Sequence, residues 1–130
     1  MTVSIPVALQ SALTDAELRS LRIVVGAMIP ASEEYGVPGA DDDRIFADIA
    51  SSVGRDEAAI RAALAELDGL AGGSLVDASQ EVRDGAIARV REKHPPLVPP
   101  LVALTTRCYY RDDRVMRAVG MEVRPPFPKG

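Results

Sequence analysis

The sequence predicts an all-α fold, a compact bundle of five to six short helices with an extended, proline-rich C-terminal arm. The chain has 130 residues, which is the size of one domain. Its apolar residues are mainly Ala, Val, Leu and Ile, with no Trp, three Tyr and two Phe, and this composition favours helix packing over a sheet. Apolar residues also recur at helical spacing between breaks rich in Pro and Gly. We therefore expect one helical domain over residues 1–120 and the arm over residues 121–130.

The first predicted helix begins at a capping box, Thr-Asp-Ala-Glu. Thr14 can accept a hydrogen bond from the backbone N–H of Glu17, whose side chain can reach back to the backbone of Thr14. Pro30 is expected to end this helix near Ile29, because proline disfavours α geometry in the residue before it. The buried stripe of the helix is predicted to be Leu18, Leu21, Val25 and Met28.

The second and third helices follow a loop rich in acids and helix breakers. Asp41 or Asp42 can cap the second helix, and the third is expected to run from about Arg55 to the sequence Gly-Leu-Ala-Gly-Gly-Ser. Alanine fills most remaining positions of the third helix, so we expect its neighbours to approach closely. The buried stripes of the two helices are predicted to be Ile45, Ile49 and Val53, then Ile60, Leu64 and Leu67.

The fourth and fifth helices flank a second break. Asp77 or Ser79 can cap the fourth helix, which is expected to reach Lys93. The sequence His-Pro-Pro-Leu-Val-Pro-Pro then predicts an extended break, with the fifth helix starting near Pro99 or Pro100 because proline is tolerated in a first turn. The buried face of the fifth helix is predicted to be Leu101, Leu104 and Cys108.

The sixth predicted helix is short, from about Asp112 to Val119. It carries Val115, Met116 and Val119, and Gly120 fits its C′ position. From Met121 onward, the prolines predict an extended or polyproline-like segment.

Charge is unevenly distributed along the chain. Residues 1–80 carry thirteen acids and five bases, and residues 81–130 carry six acids and ten bases. The acidic half would repel phosphate, and the only candidate for a basic stripe interleaved with aromatic residues is the stretch Arg107–Arg117, so a nucleic-acid partner is disfavoured. The N-terminal sequence lacks the basic region, twin arginine and apolar core of an export signal. We expect a soluble, cytoplasmic protein without a membrane-spanning segment, or a periplasmic one if it is exported with a partner or its signal is missing from this sequence.

Few side chains could support catalysis or metal binding. His94 precedes two prolines at a helix end, and we interpret it as a C-cap or solvated residue rather than a lone base. Cys108 falls on an inner face and is interpreted as a buried structural thiol, although Arg107 and Arg111 leave a reactive thiol as the alternative. The sequence Asp-Asp-Asp at 41–43 lacks the alternation of a calcium loop, so helix capping is the preferred interpretation. We therefore expect no catalytic, cofactor-binding or metal-binding residue in this chain.

Three arginines would share one face if the last helices were continuous. Arg107, Arg111 and Arg114 could form a docking patch for an acidic partner. The alternative is a solvated face balanced by Asp112 and Asp113.

Two blocks of sequence, taken together, resemble a known family. The first is AELRSLRIVVGAMIP running into VPGADDDRIFADI, and the second is LVALTTRCYYRDDRVMRAVGMEVRPPFPKG. In this order they resemble the gluconate 2-dehydrogenase subunit 3 family, the small γ-type subunits of flavin-dependent dehydrogenase complexes. The positions that match the family pattern are Ile29-Pro30, Pro38-Gly39, Tyr109-Tyr110, Asp112 or Asp113, Val115-Met116, Gly120, Pro125-Pro126, Pro128 and Gly130.

The resemblance implies an accessory role. Such subunits bind a large catalytic subunit of the glucose–methanol–choline oxidoreductase type, which carries FAD and oxidises a sugar or related alcohol. The small subunit has no flavin of its own and assists the folding, stability or export of its partner, and a cytochrome c subunit often receives the electrons. This chain departs from the family in lacking a twin-arginine signal, and in carrying Cys108 where a small residue such as Gly is usual.

The resemblance and the composition together suggest an interface at the end of the chain. A proline-rich segment loses little entropy on docking, and aromatic side chains supply buried anchors. For the tyrosines the alternative is that they close the core of this chain while the tail wraps its own bundle. The other functional alternatives are a free-standing helical interaction or regulatory module, alone or as a homodimer, and a small enzyme that uses His94 or Cys108. The candidate partner-interface residues are Tyr109, Tyr110, Arg111, Arg114, Pro125, Pro126, Phe127 and Pro128.

Overall fold

The computed structural model describes residues 12–123, with side chains described for residues 12–119. This part of the chain contains six α-helices and two short 3-10 helices, over Gly54–Asp56 and Pro95–Leu97, and no strand. The all-α prediction is confirmed. The helices are α1 (Asp15–Met28), α2 (Asp43–Ser51), α3 (Glu57–Leu70), α4 (Gln80–Lys93), α5 (Val98–Tyr109) and α6 (Asp113–Val123).

The core is organised around α3. This helix contacts α1, α4 and α5, while α2 packs on α5. Fully burying one Leu or Ile side chain contributes about 1.5–3 kcal/mol, so these shared faces are the main source of stability. The predicted stripes are confirmed, except that Met28 is only partly buried, and the buried members are Leu18, Leu21, Val25, Ile45, Ile49, Val53, Ile60, Leu64, Leu67, Leu101, Leu104 and Cys108.

The helix starts follow the capping chemistry of the sequence. The Glu17 N–H donates to Thr14 Oγ1 at 3.1 Å, and the Thr14 N–H donates to Glu17 Oε1 at 2.8 Å, which completes the capping box. Asp42 caps α2, because its Oδ2 accepts hydrogen bonds from the N–H groups of the second and third helical residues. Ser79 caps α4 by accepting from the Val82 N–H at 3.2 Å. The two choices that the sequence left open are therefore decided for Asp42 and Ser79.

The break predicted between α4 and α5 is wrong in its geometry. Pro95–Leu97 forms a 3-10 turn that continues directly into α5 at Val98, and the Leu97 N–H donates to the His94 carbonyl at 3.0 Å. Proline fixes φ near the helical value, and its missing N–H is not needed in a first turn. The prolines therefore start a helical run here and do not extend the chain.

The predicted end of the sixth helix is also wrong. Helix α6 continues through Gly120 to Val123, so Gly120 is not a C′ residue, and the first three residues of the predicted arm are helical. Pro125 restricts only the residue immediately before it, and one internal glycine costs a helix about 1 kcal/mol without ending it. Residues 124–130 lie outside the described part of the chain.

Most alanines of α3 do not mediate close packing. Ala63 is fully buried, whereas Ala58, Ala62 and Ala65 are exposed. These three residues lie on the face opposite the leucine and isoleucine stripe, where a small side chain contributes helix propensity rather than contact. Ala63 is therefore the alanine of α3 that lies in the core, and Ala59 is partly buried.

Among residues 12–123, no helix combines the length and the apolar character that crossing a bilayer requires.

Replacing Gly39 with alanine is expected to destabilise the fold by about 1–3 kcal/mol, because the loop before α2 is tightly packed there. A Cβ at this position would lie 2.8 Å from the Ala31 nitrogen and 3.0 Å from the Ile29 carbonyl oxygen. Both are backbone atoms that hold the turn, where the Ala40 N–H donates to the Ile29 carbonyl at 2.9 Å. Urea unfolding of the Gly39→Ala variant measures the effect.

Gly85→Ala in α4 is the matched control. No atom outside the helix lies within 4 Å of a Cβ built there, so the substitution should stabilise the protein by about 0.5–1 kcal/mol through helix propensity alone. Equal and small effects at the two glycines would contradict the close packing described for Gly39.

Candidate functional site

The two sequence blocks that carry the resemblance meet at one end of the molecule. There the loop between α1 and α2 contacts the junction of α5 and α6. The Tyr109 hydroxyl donates to the Pro38 carbonyl oxygen at 2.8 Å, across 71 positions of sequence. Arg114 bonds Asp42 across 72 positions. This junction is the candidate site, because it also carries four of the predicted interface residues.

The tyrosine pair is divided between the core and the surface. Tyr109 is only 4% exposed and Tyr110 is 50% exposed. Their rings pack edge to face with centroids 5.2 Å apart, which is a favourable aromatic geometry. Burial raises the pKa of the Tyr109 phenol, which therefore remains a neutral hydrogen-bond donor. Tyr109 closes the core of its own chain, and Tyr110 presents its ring to solvent.

Arg114 joins two helix caps with one guanidinium. Its Nη1 and Nη2 donate to Asp42 Oδ1 and Oδ2 at 3.2 and 2.7 Å. Its Nε and Nη2 donate to Asp112 Oδ1 and Oδ2 at 3.1 and 2.9 Å. Asp112 in turn accepts from the N–H groups of Arg114 and Val115, so it caps α6 as Asp42 caps α2. We name Arg114, Asp42 and Asp112 the double-cap network.

The double-cap network shifts the titration of both carboxyl groups. Hydrogen bonds from Arg114 hold the pKa of Asp42 and the pKa of Asp112 below their ordinary values. The Asp112 side chain is only 10% exposed and that of Asp42 is 22% exposed, so solvent screens these pairs less than ordinary surface pairs. Both aspartates therefore remain ionised at neutral pH.

The other two arginines of the predicted patch also bond within the chain. Arg111 forms a fork with Asp48, with its Nε 2.9 Å from Oδ2 and its Nη2 2.8 Å from Oδ1. Arg111 Nη2 also donates to Ser52 Oγ at 3.1 Å, and Arg107 reaches the Ser52 carbonyl oxygen at 3.4 Å. These guanidinium groups bind α2 to the end of α5. Balance by acidic side chains therefore describes Arg111 and Arg114, through Asp48, Asp42 and the predicted Asp112. The predicted Asp113 is not one of these partners, and Arg107 bonds a carbonyl instead.

An open groove of about 330 Å³ lies beside the tyrosine pair. One wall is the loop at 29–37, which is pinned by an antiparallel bridge between Ser32 and Val37 and turns at Gly36 with a φ of 63°. The other wall is the end of α5 with α6. The three tyrosines of the chain all line this one space. We name it the tyrosine groove, and its principal lining residues are Pro30, Tyr35, Tyr109, Tyr110, Val115 and Val119.

The groove continues onto an exposed apolar strip of α6. Tyr35 is 53% exposed, Tyr110 50% and Val119 38%, while Met116 is 57% exposed on the adjacent turn. Scattered exposed apolar residues are normal, but a contiguous group with aromatic members is typical of a contact surface. The groove and this strip can bind an apolar or proline-rich chain.

Sequence reasoning missed Tyr35 and two acidic partners of the arginines, Asp42 and Asp48. Tyr35 is one of only three tyrosines and lies in a polar loop, and this isolated aromatic residue was the available signal. Pairing of Asp42 with Arg114 and of Asp48 with Arg111 has no signal in one sequence, because the partners lie 72 and 63 positions apart. Pro125, Pro126, Phe127 and Pro128 lie outside the described residues.

The two residues considered for catalysis lie at a helix end and in the core. His94 is the C-cap of α4, as interpreted from the sequence, and its Nε2 lies 3.1 Å from Glu66 Oε2. Cys108 is 1% exposed, which confirms the buried thiol. Burial raises its pKa, so the unreactive thiol form is favoured. Within residues 12–119, no three His, Cys, Asp or Glu side chains are grouped so that they could hold a metal ion.

A second cavity, of about 270 Å³, lies between α1, α4 and α5. Its lining is almost entirely apolar, with Arg91 as its charged residue. Ile29 is its one residue from the motifs that carry the resemblance, and none of the predicted interface residues Tyr109, Tyr110, Arg111 and Arg114 lines it.

Comparison of the chain with protein-family models, with curated proteins and with solved structures finds no match.

Tyr109→Phe is expected to reduce stability by about 1 kcal/mol, because the variant leaves the Pro38 carbonyl without its donor. Tyr110→Phe is the matched control, since the Tyr110 side chain is half exposed and contacts Tyr109 through its ring. Urea unfolding measures both effects, as shifts of the midpoint while the slope of unfolding free energy against urea concentration stays unchanged. Equal losses in the two variants would contradict the structural role of the Tyr109 hydroxyl.

Arg114→Met is expected to cost about 1–2 kcal/mol at neutral pH, because it leaves two capping carboxylates without their shared donor. Solvent partly screens these ion pairs, since the Arg114 side chain is 32% exposed, and this keeps the expected loss of stability small. Arg117→Met on the same helix, at an exposed position, serves as the control.

The loss in the Arg114 variant should also depend on pH. The folded protein lowers the pKa of both carboxyl groups, so their stabilisation is present above the unfolded value of about 3.9 and is lost as the pH falls through the folded values. The difference in unfolding free energy between wild type and Arg114→Met should therefore shrink below about pH 4. A difference that stays constant down to pH 3 would contradict the network.

Proposed function

We propose that this chain is a non-catalytic accessory subunit, of the small γ type, in an oxidoreductase complex. In this role it binds and stabilises, or helps to mature, a large FAD-dependent dehydrogenase of the glucose–methanol–choline type that acts on sugar or alcohol CH–OH groups. FAD belongs to the partner, and a cytochrome c subunit in the same complex would accept the electrons. The observation that carries the proposal is the convergence, at one junction, of residues from both blocks that resemble the subunit 3 family.

The convergence consists of direct contacts. The Ile29 carbonyl accepts from the Ala40 N–H across the turn that contains Gly39, the Pro38 carbonyl accepts from Tyr109, and Asp112 shares Arg114 with the cap of α2. Short motifs that lie far apart in sequence thus form one structural unit. A shared unit is a stronger basis for the resemblance than separate matches of two or three residues.

The surface of this unit suits a protein partner. Tyr110, Met116 and Val119 present apolar side chains beside the tyrosine groove, and buried aromatic anchors dominate the energetics of many interfaces. Beneath them, Tyr109, Arg111 and Arg114 hold the surface through bonds within the chain. We assign the exposed group to contact with the large subunit and the bonded group to its support. A surface that is rigid before binding loses less entropy on docking.

Co-expression tests the proposal. The large flavoprotein that co-purifies with this chain from its native cells would be identified, then produced with and without the chain. The soluble, FAD-loaded fraction of the large subunit should rise severalfold when the chain is present. Equal solubility, flavin content and dehydrogenase activity without it would remove the accessory role. A homo-oligomer without a flavoprotein, seen by native mass spectrometry, would instead support the free-standing module.

Met116→Asp is expected to weaken co-purification of the large subunit by tenfold or more, because it places a charge in the apolar contact, and tenfold corresponds to about 1.4 kcal/mol. Val82→Asp is the control, since Val82 is 43% exposed in the first turn of α4. Unfolding measurements on both variants would show that the fold is intact. Equal weakening by both variants would contradict this assignment of the interface.

A further inference from the structure

We propose that residues 124–130, Arg-Pro-Pro-Phe-Pro-Lys-Gly, lie in the tyrosine groove of the same molecule. This occupancy concerns the isolated chain and does not require the large subunit proposed above. A partner would then meet a surface composed of this segment together with α6, and not an empty groove.

The chemistry of the groove matches that of the segment. Proline-rich segments with a Pro-x-x-Pro spacing dock into grooves lined by aromatic rings, because the polyproline helix is already extended and loses little entropy. Pro125 and Pro128 have this spacing, with Phe127 between them. The groove supplies Tyr35 and Tyr110 as exposed aromatic rings. Three prolines and one phenylalanine can therefore bury apolar surface against rings that are otherwise half exposed.

The connection between the segment and the groove is short enough. Helix α6 ends at Val123, and Val119 lines the groove four residues earlier, which is about 6 Å along the helix axis. Seven residues in polyproline geometry span about 22 Å. The segment can therefore turn back at the helix end and still cross the groove towards Tyr35.

Charges at the far wall favour the same placement. Glu33 and Glu34 precede Tyr35 and are both exposed, and among residues 12–119 neither forms an ion pair. The segment carries Arg124 before its prolines and Lys129 after them. A chain that crosses the groove brings a cation close to these carboxylates, and each such exposed pair contributes weakly but in the favourable direction.

Covalent attachment selects the segment of the same molecule as the occupant. A short linker gives a tethered ligand an effective concentration in the millimolar range, which exceeds the concentration of any second copy in dilute solution. Even if the groove binds the segment weakly, the segment of the same molecule would therefore fill it. A second copy of the chain, or a proline-rich partner, would have to displace the tethered segment first.

The absence of tryptophan from the chain allows a direct test. In full-length Phe127→Trp the new residue is the sole tryptophan, and the three tyrosines that could transfer energy to it all line the groove. We expect a blue-shifted tryptophan emission and a loss of tyrosine emission relative to the parent protein. Both signals should be independent of protein concentration, because the contact is intramolecular.

Variants of the groove provide the contrast. Adding Val119→Asp or Tyr35→Ser to Phe127→Trp should return the tryptophan emission to that of a solvent-exposed indole. Adding Val82→Asp, on another helix, should leave it blue-shifted. Both substituted residues are at least 38% exposed, so neither change should unfold the protein. Circular dichroism would verify the fold of each variant.

A competing peptide separates the cis and trans arrangements. The free peptide Arg-Pro-Pro-Phe-Pro-Lys-Gly should bind a variant that ends at Val123 at least about tenfold more tightly than it binds the full chain, where the tethered segment competes. Solvent-exposed emission in Phe127→Trp that no groove variant changes would overturn the proposal. A blue shift that appears only at high protein concentration would also overturn it, in favour of a second copy. Failure of the co-expression experiments would leave these results unaffected, since they use the isolated chain.

Discussion

The double-cap network is the interaction on which the candidate-site end of this protein depends. Arg114 binds the carboxylate that caps α2 and the carboxylate that caps α6, so a single side chain fixes the starts of two helices relative to each other. Charge-assisted bonds in a forked geometry give both strength and direction. Val115, 1% exposed, follows it into the core. The position of α6, and with it one wall of the tyrosine groove, follows from these two adjacent residues.

The opposite wall depends on the Tyr109 hydroxyl and on Gly39. The hydroxyl satisfies the Pro38 carbonyl, and the missing side chain of Gly39 lets the loop return against Ile29 and Ala31. The loop therefore presents Tyr35 from a backbone held at both ends. Rigid support of this kind keeps exposed aromatic rings available for contact without the entropy loss that a loose loop would suffer on binding.

The arginines show why the charge pattern alone misleads about function. Arg111 and Arg114 are three positions apart in sequence and suggest a basic patch, but each has a carboxylate from α2 or its cap within 2.9 Å. Because these guanidinium groups already donate to carboxylates of their own chain, they have few N–H donors left for an acidic partner. Apolar and aromatic side chains are exposed beside them, at Tyr35, Tyr110, Met116 and Val119. The character of the surface is therefore set by which side chains are already bonded within the fold.

The sequence by itself determined the local features of this protein. The capping box at Thr14, the apolar stripes of α1, α2, α3 and α5 and the buried position of Cys108 depend on contacts within a turn or on helical periodicity, and both can be read from one chain. Local rules misjudged the prolines before α5 and Gly120 because each residue is compatible with two states, and neighbouring residues decide between them. Only the tertiary structure decided the pairing of Arg114 with Asp42, the burial of Tyr109 beside an exposed Tyr110, and the grouping of the three tyrosines around one groove. The physical reason is that these contacts join residues about 70 positions apart, and their partners are chosen by how the helices pack rather than by any pattern along the chain.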